Sequence, residues 1–193
     1  MSSMARASAA IRWTIADIEA MPDDEWKRYE IIDGELFVSR APGDEHQLVL
    51  HVFDVALGIW NTETRLGVVL PGPGLIFGES DAVIPDLVWV SHDRRARILG
   101  EDHHMHGAPE LVVEVLSPGA ANERRDRQAK LKLYSVHGVQ EYWIADWRAQ
   151  TVTIYRRQRA QLRLAATLGR EDTLTSPLLP GLTLPIARLF EWL

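Results

Sequence analysis

Two segments of the chain are apolar at nearly every position, yet each holds one carboxylate. Residues 82–90 read AVIPDLVWV and residues 111–116 read LVVEVL, the pattern of strands covered on both faces. An ionised carboxylate inside such a run costs several kcal/mol unless something positive meets it. Asp86 and Glu114 are therefore the first candidate functional residues. Glu114 is the stronger on pattern alone, because Pro85-Asp86 also suits a simple strand entry.

The remaining pattern predicts the framework around them. Thr14 caps a short helix that ends near Met21-Pro22, with Asp17 three residues into it. Residues 29–32 and 35–39 flank Asp33-Gly34, the dipeptide of a two-residue type I′ hairpin turn. From Asp44, a capping residue, to about Asn61, the spacing predicts a helix with Leu48, Val52, Val55 and Ile59 as its core stripe. Residues 68–70 and 75–77 form short strands around Pro71-Gly72-Pro73-Gly74, and residues 91–107 read as a polar loop. A second helix covers about 122–137, ends at Gly138 and turns Leu131, Tyr134 and Val136 to the core. Strands at 141–145 and 152–155 make another hairpin, 162–166 adds a strand, and 182–184 leads into a closing helix over 185–192. This order predicts one α/β (α+β) domain over 1–193, with a central mixed β-sheet flanked by helices and an N-terminal β-hairpin. Residues 1–12 are expected to be flexible.

Composition narrows the chemistry. The 193 residues are 46% hydrophobic and 25% charged, ordinary globular values, and contain no cysteine. Disulfide scaffolds, thiolate metal sites and cysteine nucleophiles are thereby excluded. The first ten residues have no apolar h-region and no segment is long enough for a membrane span, so the expected location is the cytoplasm. A net charge of −6 argues against a general polyanion-binding surface and leaves room for a local basic patch.

Two carboxylates at neighbouring strand ends are a hard oxygen donor set, suited to Mg²⁺ or Mn²⁺. The carbonyl of Val115 can add a third protein oxygen, and Lys130 on the following helix can orient a water. The segments YEIIDGEL (29–36), APGDEH (41–46), IPDLVWV (84–90), APELVVEVLSP (108–118), DRQAKLKLY (126–134), GVQEYWIAD (138–146) and SPLLPGLTL (176–184) together resemble a restriction-endonuclease family within the PD-(D/E)XK nuclease superfamily. The resemblance implies a restriction endonuclease-like core, with Asp86 as the PD aspartate and Glu114 as the second acid. The superfamily lysine stands two residues after that acid, where this chain has Leu116. The resemblance moves that role to Lys130, with Asp126 four residues earlier as its ion-pair partner and Lys132 pointing about 200° away. It further implies Glu30 as a metal ligand or water-positioning carboxylate. His46 matches a family position too, where it would contact phosphate or complete the metal shell, capping or packing being the other readings.

Other candidates read more plainly. His103, His104 and His106 lie in a loop without zinc-enzyme spacing. Ser117 lacks a nucleophile elbow, and the glycines at 67, 72, 74 and 78 match no phosphate-binding loop. Arg124, Arg125 and Arg127 lie beside the proposed site and can contact phosphates, whereas Arg156, Arg157, Arg159 and Arg163 read as a solvated face. The expectation is a Mg²⁺- or Mn²⁺-dependent endonuclease acting on DNA, assembled as a homodimer and without membrane association. The alternatives are an inactive nuclease-fold binding or assembly protein, and a phosphodiesterase acting on RNA or nucleotides.

Overall fold

The computed structural model describes residues 11–22 and 26–193, so the flexibility expected of residues 1–12 falls, except at its last two positions, outside the described residues. Of those two, Arg12 lies on the surface, where its Nη2 donates to Asp33 Oδ1 at 3.1 Å. In α1 (Ile15–Glu19) the Thr14 amide and hydroxyl both donate to Asp17 Oδ2, at 2.8 and 2.7 Å. The hairpin forms as the pattern predicts. β1 (Lys27–Ile32) and β2 (Glu35–Arg40) pair antiparallel, and Asp33 and Gly34 adopt φ of 53° and 74°. A type I′ turn requires both positive values, and glycine takes its own without strain.

The apolar run at 82–90 is not one strand. It divides into β5 (Asp81–Val83) and β6 (Leu87–Ser91), which lie in different sheets. Pro85 has no N–H to give to a ladder, and the chain changes sheets there. Asp86 thus stands at a junction, not inside a strand. With β4 (Leu75–Gly78), the smaller sheet runs β2-β1-β5-β4. The larger one comprises β3 (Gly67–Pro71), β6, β7 (Leu111–Val115), β8 (Glu141–Asp146), β9 (Thr151–Gln158) and β10 (Gln161–Leu168), in the order β10-β9-β8-β7-β6-β3. Only β7 and β8 pair in parallel. A parallel pair needs a long crossover, here supplied by α4 (Ala120–Arg124), a π-helical turn (Arg125–Lys130) and α5 (Leu131–His137).

Both faces of the larger sheet are covered, and strand alternation sorts its residues between them. Leu87, Trp89, Leu111, Val113 and Val115 pack against α2 (Asp44–Thr64) and the C-terminal segment. Val88, Val90, Val112 and Leu116 pack against α5 and the smaller sheet. Glu114 shares the parity of Val112 and Leu116, so it faces α5 and the π-helical turn.

Several expectations need correction. The core face of α2 carries His46, Val49, Phe53, Leu57 and Trp60, whereas Val55 and Ile59 are exposed. Both stripes obey the helical period, but the stripe with Phe53 and Trp60 buries more apolar area. Gly43, not Asp44, is the N-cap. The stretch expected as loop contains α3 (His92–Ile98), capped by Ser91 Oγ, which accepts from the Arg94 amide at 3.2 Å. On α5, Leu133 and Tyr134 are buried and Val136 is exposed. The closing helix shrinks to α6 (Ile186–Leu189), after the two-stranded ladder of β11 (Thr173–Leu174) and β12 (Leu184–Pro185). Among the described residues no helix is long and apolar enough to cross a membrane.

Candidate active site

The junction of the two sheets, β7 and the π-helical turn form a small, open cleft. Asp86, Glu114, Val115, Lys130, Glu30 and His46 all line it. The sequence-predicted residues therefore converge, Glu114 and Val115 together from β7 and the other four from separate parts of the chain.

Asp86 is held on one side. Its Oδ2 accepts from the Val115 amide at 2.9 Å and contacts His46 Nε2 at 3.0 Å. An ionised carboxylate only accepts, so Nε2 carries the hydrogen. His46 Nδ1 is then buried without a partner among the described residues. Burial works to raise the Asp86 carboxyl, but His46, the Val115 amide and Lys130 outweigh it and hold it below the ordinary carboxylate range.

Lys130 bridges two acids. Its Nζ lies 2.8 Å from Glu114 Oε1 and 2.9 Å from Glu30 Oε1, with Asp126 Oδ1 at 3.9 Å. Glu30 Oε1 also accepts from the Ile84 amide at 2.9 Å. Burial alone would neutralise the ammonium, but Glu114, Glu30 and Asp126 keep its pKa above the ordinary lysine value. It is a cationic donor, not a base. Burial pushes Glu114 up to about 8, against the pull of Lys130 and with the help of Asp86, Asp126 and Glu30. Tyr134 Oη donates to Glu114 Oε1 at 3.1 Å.

Three supporting residues escape the sequence pattern. Arg125 Nε and Nη2 hold Asp126 at 2.8 and 3.3 Å, and its Nη1 lies 3.5 Å from Glu30 Oε2. Tyr142 Oη donates to the Asp126 carbonyl at 2.9 Å. Arg28 Nη1 lies 3.5 Å from Asp86 Oδ1. Arg125 was visible only as one of several basic residues, because α-helical spacing puts residues 125 and 130 on different sides. A π-helical turn bonds i to i+5 and brings them to one side.

Four carboxyl groups are buried here, Glu30, Asp86, Glu114 and Asp126, against two cationic side chains, Arg125 and Lys130. Glu114, pushed up to about 8, keeps its proton at neutral pH without metal, and a divalent cation would offset the charge that it gains on ionising. Among the described residues no three His, Asp or Glu side chains close around one point as a metal cage. The donor set matches an ion held by two carboxylates and a carbonyl with several waters, the habit of Mg²⁺.

Residues 15–187 match the Uma2 family, described as "Putative restriction endonuclease". The chain belongs to that family. Its fold is shared by a crystal structure described as a putative nuclease belonging to DUF820 from Anabaena variabilis, with a TM-score of 0.71 and 22% identity over 93% of this chain and 98% of that one. The type IIG restriction endonuclease BpuSI matches more loosely, with a TM-score of 0.38 and 11% identity over 79% of this chain and 17% of that one. A comparison with curated proteins finds no match.

In this member of the Uma2 family, Leu116 is fully buried in the core beside Tyr134. A lysine there would lose its solvation, and Lys130 approaches the same sheet face from the helix. Lys132 points away and pairs with Asp33 at 3.3 Å on the surface. The other basic cluster is partly structural. Arg157 caps the end of α5 through the Tyr134, Ser135 and Val139 carbonyls, and Arg156 reaches Glu141 and the Thr175 carbonyl. His104 and His106 stay exposed beside Asp102.

Proposed function

We propose that this chain is a Mg²⁺- or Mn²⁺-dependent endonuclease that hydrolyses DNA phosphodiester bonds, assembled as a homodimer. Asp86 and Glu114, with the Val115 carbonyl, hold the ion. His46 serves through Asp86, fixing which carboxylate oxygen is presented. Glu30 serves through Lys130, holding its ammonium at the cleft. A bound divalent ion supplies Lewis-acid stabilisation of the negative charge that builds on the phosphodiester.

Two of the three Lys130 donors go to Glu114 and Glu30, and the third orients a water inside the cleft toward phosphorus. The water oxygen bonds to phosphorus as one P–O ester bond breaks, and the proton that the water gives up passes through solvent to the departing oxygen. The observation that carries the reading is the Lys130–Glu114 contact of 2.8 Å, made by a helical lysine to the face where the nuclease pattern needs one. Family membership supports the same reading, and the excess of buried carboxyl groups supports the ion.

The test is cleavage of supercoiled plasmid in Mg²⁺ by wild type, Asp86→Asn and Glu114→Gln, with folding checked by circular dichroism. Wild type is expected to nick and linearise the plasmid, and each variant to lose at least about a hundredfold of that rate. Equal cleavage by all three proteins would reveal a contaminant and end the assignment. RNA cut in preference to plasmid would move the substrate to RNA. A wild type that neither cuts nor binds Mn²⁺ would leave an inactive nuclease-fold binding protein.

A further inference from the structure

We infer that Arg28 is a placeholder cation, which covers the ligand-facing oxygen of Asp86 in the resting protein and passes to a substrate phosphate when a divalent ion takes that oxygen. The inference rests on the nuclease reading above and adds a residue that binds substrate and sets metal affinity. Its starting point is the asymmetry of Asp86. Oδ2 is fully engaged by the Val115 amide and His46. The ion-pair partner of Oδ1 among the described residues is Arg28, at 3.5 Å, a distance beyond a good hydrogen bond.

The two arginines of the cleft differ in how firmly they are held. The Arg125 side chain is 9% exposed and grips Asp126 with two nitrogens. The Arg28 side chain is 36% exposed and makes its long contact from the cleft mouth. Arg28 sits on β1 two residues before Glu30, so the pleat points both toward the cleft. Directly opposite on β2 is Ser39, followed by Arg40, and both line the same cleft. A planar guanidinium on a rigid hairpin, beside a hydroxyl and a second arginine, suits the oxygens of a phosphodiester.

Arg28 and a dication compete for Oδ1, since like charges cannot share it at low cost. A dication that wins frees the guanidinium at the place where a phosphate must lie to reach that ion. In the resting protein Asp86 Oδ1 thus keeps a cationic partner, and substrate and ion favour one another's binding through the same side chain.

Two measurements on Arg28→Gln test this, with Arg28→Lys as the variant that keeps the charge. By calorimetry, Arg28→Gln is expected to bind Mn²⁺ about tenfold more tightly than wild type, and Arg28→Lys to stay within about threefold of it. Binding of a short phosphorothioate DNA duplex in saturating Mn²⁺ is expected to weaken about tenfold in Arg28→Gln. Unchanged or weaker Mn²⁺ binding by Arg28→Gln overturns the placeholder role, as does undiminished duplex binding. If none of the folded proteins binds Mn²⁺, the metal-dependent reading falls and this inference falls with it.

Discussion

Lys130 is 1% exposed between Glu30 and Glu114, so its charge is committed to the interior. Removing one partner of a buried ion pair leaves the others uncompensated, which costs about 3–5 kcal/mol. Lys130→Met is therefore expected to lose about 3 kcal/mol of stability in urea denaturation without metal. Adding Glu30→Gln is expected to recover part of that loss, and a double variant as unstable as the sum of its singles would refute the coupling. Glu114 gives a pH signature of its own. Burial first, then Asp86, Asp126 and Glu30, push it up to about 8 from the ordinary value of 4.5. Between those two values the folded chain binds a proton that the unfolded chain has released, so metal-free stability falls as pH rises through that window. Glu114→Gln cannot ionise and is expected to flatten the slope. An identical slope in the variant, measured by denaturation in EDTA from pH 5 to about 8.5, would place the titration elsewhere.

At the scale of elements, the π-helical turn Arg125–Lys130 makes the site. Its extra residue per turn lets Arg125, Asp126 and Lys130 bury their side chains together. Sequence spacing cannot reveal this, because it assumes 3.6 residues per turn. The same spacing offered two apolar stripes on α2, and only the bulk of Phe53 and Trp60 decides between them. Inserting an alanine after the exposed Gln128 sets Arg125 and Lys130 six residues apart, about 120° around a regular α-helix, and is expected to swing Lys130 away from Arg125. Plasmid cleavage should vanish while the circular dichroism spectrum keeps its helical content. Retained cleavage would mean that the turn does not set the lysine. Arg157 provides a contrast remote from the chemistry. Its guanidinium binds three carbonyls around the end of α5, and charged hydrogen bonds of this kind contribute about 1.5–3 kcal/mol. Arg157→Ala is expected to lower stability by about 2 kcal/mol in urea, with Mn²⁺ affinity unchanged.

Across the whole molecule, what is legible in the sequence is what local pattern controls. The β1–β2 hairpin follows from Asp33-Gly34, and Glu114 stands out because every neighbour in its strand is apolar. The sheet change at Pro85 and the reach of Lys130 to Glu30 and Glu114 depend on how distant elements meet, which no local window contains. Charge is also a property of the whole. The chain carries −6, while Arg28, Arg40, Arg125 and Lys130 line the cleft. Arg125 and Lys130 are already spent on buried acids, so on the endonuclease reading Arg28 and Arg40 remain to neutralise backbone phosphates there. Each neutralised phosphate adds about −0.9 to the slope of log affinity against log salt on duplex DNA. Duplex binding by this chain is therefore expected to show a shallow slope, about −2 per active site, in titrations at several KCl concentrations. A slope of about −6 or steeper would require a basic surface outside the cleft and would move the DNA path away from the β1–β2 hairpin.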